Sequence, residues 1–253
     1  MSDALESAVR SLAIVVTICL FYRWGLGRGA PDLDRVLGWL VAHVRSTRSY
    51  SVKDLEAIVW LGLWSLLQAV FMVVLVAVSG LDVAGFFSTE FHPVFILYGV
   101  FIGIGEVALV SLFSYALSGA AMRVTAGGAA MDMSKWFNAA RTGWRRVVLK
   151  PMEVAPLSLI LPVIMVSLVA EEAVFRGVVL TNLRSAGGAI ALATSIVLFV
   201  TARVMGASSW PGRLSVGVEA LVVGTVHAAL YLSVPNLIPL VIAQEVYVVT
   251  KNL

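Results

Sequence analysis

The chain is poor in cysteine, histidine and charged residues. It has a single cysteine, Cys19, which excludes disulfides within the chain and every metal site built from several cysteines. Its three histidines, His43, His92 and His227, argue against a histidine-rich metal centre. Only 13% of the residues are charged, whereas soluble domains have about 25%. Such a chain cannot cover a large core with polar surface, and it lacks the dense basic stripe of a nucleic-acid-binding protein.

Apolar residues make up 60% of the 253 residues, and the mean hydropathy is +0.94. This composition predicts an integral membrane protein, because about 20 consecutive apolar residues cross the hydrocarbon core of a bilayer as a helix. Seven spans are predicted, with an uncertainty of about one. They lie at 12–21, 57–79, 94–117, 157–179, 186–204, 214–232 and 234–249.

Two further segments have the pattern of helices that lie on the membrane surface. Residues 31–50 alternate charged and apolar side chains, and residues 134–150 place their apolar and cationic residues on different faces. For the second segment, a partner-binding helix is the alternative. Ser51 and Asp54 are spaced as a capping box at the start of the first long span.

Lysine and arginine counts in the short loops predict the orientation of the chain. Residues 28–53 hold five of these cations and residues 119–155 hold six, whereas residues 81–93 hold none. Because cytoplasmic loops carry the excess of positive charge, we expect the two basic segments in the cytoplasm and 81–93 outside. The helix 157–179 then runs outward, and its C-terminal half is expected near the outer face.

The most polar cluster inside an apolar span is the segment 171–177, Glu-Glu-Ala-Val-Phe-Arg-Gly. Charged groups at mid-span cost about 2.5–3.5 kcal/mol each on insertion scales, so each of them requires an explanation. Glu172 and Arg176 are four residues apart with the acid first, the favourable order for an ion pair within a helix. Glu171 points about 100° away from Glu172 around the helix axis. It is therefore available to act as a general base toward water.

The segment 171–177 resembles the EExxxR motif of the CPBP family of glutamic-type intramembrane proteases, which includes CAAX endopeptidases and bacteriocin-processing and immunity proteins. The resemblance extends from about residue 151 to the C-terminus. It implies that Glu171 activates water and that Glu172 and Arg176 form a structural ion pair. The family needs no metal or other cofactor for this chemistry.

Two family positions differ in this chain. The second motif, FxxxH, corresponds to 199–203, where Arg203 replaces the histidine. The third motif, HxxxN, corresponds to Gln244 and Val248. Arg203 cannot accept a proton, and a pair with Glu171 would weaken that carboxylate as a base. Gln244 can still donate a hydrogen bond to an oxyanion.

Four other polar residues lie in apolar spans. His227 is either a packed histidine bonded to a backbone carbonyl or a replacement for the missing histidines, and Glu219 lies about two turns before it on nearly the same face. Glu106 is either an interhelical hydrogen-bonding group or a proton or ion site. Glu245 adjoins Gln244 and is a possible member of the polar centre. His43 and His92 are given no role.

The sequence therefore predicts an all-α, polytopic membrane helix bundle. Residues 1–150 are expected to supply the first membrane helices and the surface helices, and residues 151–253 a CPBP-like core. The predicted catalytic centre contains two carboxylates, two guanidiniums and two neutral donors: Glu171, Glu172, Arg176, Arg203, His227 and Gln244.

Two functions remain open at this point. One is an intramembrane endopeptidase that cleaves a membrane-associated or exported protein on the outer side. The other is a catalytically silent scaffold or immunity factor that binds a membrane partner through the same cavity. A proton-coupled transporter using Glu106 and Glu219 would predict inverted halves, which the sequence lacks. The expected environment is the lipid bilayer of a bacterial or archaeal cytoplasmic membrane, with no nucleic acid and no cofactor.

Overall fold

The computed structural model describes residues 3–27, 39, 42–43, 50–82, 84–87, 92–125, 144–207 and 209–252, and this part of the chain is helical without strands. The helices are α1 (Asp3–Gly27), α2 (Val52–Ser79), α3 (Val94–Thr125), α4 (Trp144–Val154), α5 (Leu157–Glu172), α6 (Gly188–Met205), α7 (Trp210–Ser233) and α8 (Ile238–Asn252). A π-helical segment, Ala173–Leu180, continues α5 and is followed by the short turns Thr181–Leu183 and Arg184–Ala186. Another short turn, Ala84–Phe87, lies between α2 and α3.

Five helical stretches among the described residues are long and apolar enough to cross a membrane, which confirms an integral membrane protein with several spans. They are Val52–Ser79, Val94–Leu117, Leu157–Ala186, Gly188–Met205 and Trp210–Ser233. The first and last of the seven predicted spans are also helices, but they fall outside this set. α1 has 25 residues and packs on α2 and α6, whereas α8 has 15 and begins four residues later than predicted.

The helix ends near the surface follow the sequence signals where they are described. Ser51 and Asp54 form the predicted capping box, with Ser51 Oγ accepting from the Asp54 amide at 3.2 Å and Asp54 Oδ2 accepting from the Ser51 amide at 3.3 Å. Gly80, at a φ of 66°, ends α2 in the left-handed conformation that glycine adopts without strain. The predicted surface helix 31–50 lies outside the described residues apart from positions 39, 42, 43 and 50. Of the segment 134–150, the described part begins at residue 144 and belongs to α4.

Two glycines of α3 allow α8 to pack directly on its backbone. A Cβ atom on Gly99 would lie 2.6 Å from Ile242 Cβ, and one on Gly103 would lie 2.5 Å from the carbonyl oxygen of Ala243. This spacing is the GxxxG pattern through which membrane helices approach closely. As a result α3, which belongs to the N-terminal half of the sequence, packs against the last helix of the chain.

The two ends of the bundle can be recognised by contacts between loops and helix ends. At one end, Lys150 of α4 pairs with Asp54 of α2 at 3.5 Å. At the other end, the Leu237 amide donates to the Phe86 carbonyl at 3.1 Å. We call these the Lys150 end and the Phe86 end. α5 starts at the Lys150 end, and α6 runs antiparallel to it and returns to that end. The two helices are aligned by a hydrogen bond that Ser195 Oγ of α6 donates to the Phe175 carbonyl at 2.8 Å.

This alignment places Glu171 along the length of the bundle. The hydrogen bond places residues 175 and 195 at the same height along the bundle axis. At a rise of about 1.5 Å per residue, Glu171 then lies about 9 Å along this axis from Met205, the last residue of α6, and about 16 Å from Gly188, its first residue. Glu171 therefore lies nearer the middle of the span Leu157–Ala186 than its end, while the membrane face to which it is closer stays a prediction. The helical path beyond Glu171 is longer than the predicted span suggested, because it continues through the π segment to Leu183.

The orientation of the bundle in the membrane stays a prediction, and it can be tested with single cysteines. In a Cys19→Ser background, Asp82→Cys at the Phe86 end should react in intact cells with a thiol reagent that cannot cross the membrane. Glu153→Cys in α4, whose side chain is 52% exposed at the Lys150 end, should react only after the cells are lysed. The opposite labelling pattern would reverse the topology.

Candidate functional site

The segment 171–177 lies where α5 changes into a π helix. Glu171 and Glu172 are the last two residues of α5, and Arg176 lies within the π segment Ala173–Leu180. π-helical turns inside α-helices are rare and occur frequently at functional sites. Gly177 is required by packing, since a Cβ atom there would lie 2.9 Å from two ring atoms of Phe86.

The Glu172–Arg176 pair is present as the spacing predicted. Arg176 Nε lies 3.3 Å from Glu172 Oε2, and both side chains are fully buried. Glu172 Oε1 is contacted by His227 Nδ1 at 3.0 Å. Both oxygens of this carboxylate thus face cationic or hydrogen-bonding groups, which fixes its orientation.

Glu171 faces a different set of residues. Its Oε2 atom accepts hydrogen bonds from Arg203 Nη2 and from Gln244 Nε2, the latter at 3.0 Å. Glu171 and Arg203 are each 5% exposed and Gln244 is 2% exposed. The replacement of the expected histidine by Arg203 therefore places a buried guanidinium directly on the carboxylate, as the sequence comparison with the FxxxH motif suggested.

Phe199 lies between the two arginines. Its ring centroid is 4.3 Å from the Arg176 Cζ atom and 5.0 Å from the Arg203 Cζ atom. Cations are attracted to the face of an aromatic ring, and the attraction is larger in a desolvated site. The aromatic residue that begins the second motif thus stabilises both guanidiniums in an environment without bulk water.

The structure overturns one interpretation of His227. A histidine bonded to a backbone carbonyl was one of the two expectations, but its Nδ1 faces Glu172 and its Nε2 lies 3.0 Å from Glu106 Oε1. Glu106 of α3, His227 of α7 and Glu172 of α5 therefore form a buried row across three helices. His227 thus contacts Glu172 and Glu106, whereas the recorded hydrogen-bond donors to Glu171 are Arg203 and Gln244.

The remaining acidic residues lie apart from this row. Glu219 is paired with Lys251 at 3.0 Å, and Lys251 also contacts the Tyr247 hydroxyl. Glu245 is partly buried, and its Oε2 atom has no hydrogen-bond partner among the described residues. Among these residues, no group of three or more His, Cys, Asp or Glu side chains could hold a metal ion.

A small cavity lies next to the residues that hold Glu171. Its volume of about 10 Å³ is close to the minimum that a cavity needs to hold one water molecule. Its polar lining consists of Arg203, Glu219, Gln244 and Tyr247. Gln244 Oε1 is buried and has no hydrogen-bond partner among the described residues. Gln244 therefore brings this buried acceptor to the wall of a cavity about the size of one water molecule.

Sequence reasoning missed the contribution of α3 to this region. Glu106 was seen as an isolated acid, and its partner His227 is 121 positions away along the chain. The signal that could have found the contact is the GxxxG pattern of Gly99 and Gly103. This pattern predicts a close helix neighbour one turn before Glu106.

Comparison with known families gives one match. The family described as Type II CAAX prenyl endopeptidase Rce1-like matches residues 153–249. All six predicted site residues lie within this range, and Glu106 lies outside it. No curated protein and no solved structure matches the chain. The C-terminal region of the chain, residues 153–249, is thus similar to CAAX-protease-type membrane proteases, in agreement with the resemblance of the segment 171–177.

Proposed function

We propose that the protein is a glutamic-type intramembrane endopeptidase in which Glu171 is the general base. The observation that carries the proposal is the placement of Glu171: a buried carboxylate held by Arg203 and Gln244, which themselves line a water-sized cavity. The similarity of residues 153–249 to the Rce1-like CAAX prenyl endopeptidase family supports the reaction class.

The proposed reaction uses water and no metal. Glu171 takes a proton from a water molecule, and the hydroxide attacks the carbonyl carbon of the scissile peptide bond. Gln244 Nε2 and the Arg203 guanidinium donate to the oxyanion that forms. Glu171 then returns the proton to the leaving amine, and the C–N bond breaks. Because both donors contact Glu171 in the absence of substrate, an entering peptide carbonyl must take over at least one of these hydrogen bonds.

The other site residues have supporting roles in this proposal. Arg203 donates a charge-assisted hydrogen bond to the Glu171 carboxylate and orients it. Glu172 and Arg176 form a structural pair beside it. His227 acts on Glu172 and not on the reacting atoms.

The cavity suggests the side from which a substrate arrives. It is lined by Arg203 in the last turn of α6 and by Val216 and Glu219 in the first half of α7, so it lies toward the Lys150 end. With the predicted orientation this is the cytoplasmic side. Of the two substrate classes expected from the sequence, a membrane-associated protein cut near that side fits this geometry better than an exported protein.

A catalytically silent membrane scaffold is the second candidate function. It is favoured by one specific observation. The guanidinium of Arg203 contacts Glu171, whereas the family has at position 203 a histidine that can exchange protons. In that case the buried charges would stabilise a cavity that binds a partner without cleaving it.

The proposal can be tested with the full-length protein in lipid nanodiscs. Two internally quenched peptides with the same CAAX-type sequence, one farnesylated and one not, would serve as probes, as the description of the matched family suggests. We expect cleavage of the farnesylated peptide at least about tenfold faster, since membrane partitioning raises its local concentration. Cleavage should persist in EDTA.

Mapping of protein N-termini in membranes of cells with and without the protein covers substrates that these two peptides do not represent. New N-termini that depend on the protein support the proposal. If neither peptide is cleaved and no N-terminus depends on the protein, the endopeptidase proposal is wrong.

A further inference from the structure

His227 is completely buried and has a carboxylate oxygen at each ring nitrogen. Nδ1 lies 3.0 Å from Glu172 Oε1, and Nε2 lies 3.0 Å from Glu106 Oε1. The exposed fractions of Glu106, Glu172 and His227 are 1%, 0% and 0%. Water is therefore excluded from both contacts.

With both carboxylates ionised, a neutral imidazole does not fit this geometry. It carries one N–H group, so the other nitrogen would point a lone pair at a carboxylate oxygen. In a buried site, this repulsion is not relieved by solvent. An imidazolium ring, in contrast, donates from Nδ1 to Glu172 and places a positive charge beside Glu106, whose Oε1 atom is at ion-pair distance from Nε2.

The charges around the ring lead to the same protonation state. Glu106 comes from α3, Glu171 and Glu172 from α5, Arg176 from the π segment and Arg203 from α6, and each is at most 5% exposed. Glu219, the other buried acid in this part of the described chain, is paired with Lys251. Three carboxylates and two guanidiniums leave one negative charge uncompensated, and one added proton neutralises the group. Imidazole is a stronger base than a carboxylate, so His227 is the site that takes this proton. Burying uncompensated charge is costly, so the neutral arrangement is favoured.

We propose that Glu106 is a positioning residue of the proposed site: from α3 it holds His227 in the doubly protonated form that clamps Glu172. His227 fixes Glu172 Oε1 while Arg176 fixes Oε2, and the orientation of α5 at Glu172 sets the direction of the adjacent Glu171. The link to catalysis rests on the proposed function, whereas the protonation state of His227 does not.

An N-terminal helix outside the matched family region therefore completes the site. The close packing of α3 on α8 through Gly99 and Gly103 brings Glu106 to the required depth. Glu106 does not touch the reacting atoms in this proposal, and it acts only through His227 and Glu172.

The test is ¹⁵N NMR of histidine-labelled, full-length protein in nanodiscs, in a His43→Gln/His92→Gln background that leaves His227 as the single histidine. At pH 7 we expect protons on both ring nitrogens. Glu106→Gln should cause the loss of one of the two N–H signals, because the second carboxylate is gone. Glu153→Gln, which removes an exposed acid of α4, is the matched control and should leave both signals in place.

Two results would overturn the proposal: a single protonated ring nitrogen in the protein with Glu106 intact, or two protonated nitrogens retained in Glu106→Gln. Neither readout uses peptide cleavage, so failure here is distinguishable from failure of the endopeptidase proposal. If peptides are cleaved, Glu106→Gln should also shift the pH profile of kcat, which a merely structural role would leave in place.

A second comparison applies where Glu106→Gln accumulates poorly. His227→Gln alone leaves an excess negative charge and should reduce the amount of folded protein. The double variant Glu106→Gln/His227→Gln restores neutrality and should recover more folded protein than His227→Gln. If the double variant gains nothing over His227→Gln, the two residues are not coupled and the proposal fails.

Discussion

Glu171→Gln is expected to abolish peptide cleavage, with a loss of at least about 10²-fold, because an amide nearly matches the carboxylate in shape but cannot accept a proton from water. The measurement is the rate of cleavage of the quenched farnesylated peptide by purified protein in nanodiscs. A scaffold would show no cleavage even without the substitution. Its binding of a partner would survive Glu171→Gln if the partner does not contact the charge of Glu171.

The contact between Glu171 and Arg203 determines how this variant must be controlled. Glu171→Gln alone removes the carboxylate that the buried Arg203 contacts, so a loss of activity could reflect a loss of folded protein. Glu171→Gln/Arg203→Gln removes one charge of each sign and keeps both side chains polar. This double variant should elute as folded protein and remain inactive. Cleavage that persists in a folded Glu171→Gln protein would exclude Glu171 as the base and leave the family likeness as one of fold only.

The parts of the site that sequence reasoning predicted depend on local spacing or on whole helices. Glu172 and Arg176 are four residues apart, so one helical turn brings them together wherever the helix lies. Ser51 and Asp54 form their capping box for the same reason. The pairing of Arg203 with Glu171 was expected because a family motif aligns the two positions, not because any pattern within this chain joins them.

The parts that the sequence did not predict depend on how distant helices pack. Nothing local to His227 indicates that its two nitrogens face acids from α3 and α5, since each of those contacts depends on the relative rotation and depth of separate helices. The length of the helical path beyond Glu171 was underestimated for a related reason. A span was counted from its apolar residues, whereas the alignment of α5 with α6 depends on one hydrogen bond, from Ser195 to the Phe175 carbonyl.

Breaking the Glu172–Arg176 ion pair beside the proposed base should strongly destabilise the protein. Arg176→Ala is expected to lower the free energy of unfolding by about 3–5 kcal/mol, the range for a buried pair that loses one partner. Arg176 is 0% exposed, and its loss removes both its contact with Glu172 at 3.3 Å and its position over Phe199. The measurement is the thermal midpoint and the yield of monodisperse protein in detergent.

Two variants separate the loss of the pair from a general intolerance of substitution. Arg184→Ala removes an exposed arginine from the turn that follows the π segment, and it should change the free energy of unfolding by less than about 0.5 kcal/mol. Glu172→Gln/Arg176→Gln removes both charges, so the penalty for an uncompensated buried carboxylate disappears and part of the stability should return. Recovery should be partial, because His227 then loses one of its two carboxylate partners. If Arg176→Ala accumulates like the unsubstituted protein, or the double variant is no more stable than Arg176→Ala, the two side chains do not stabilise the fold as a pair.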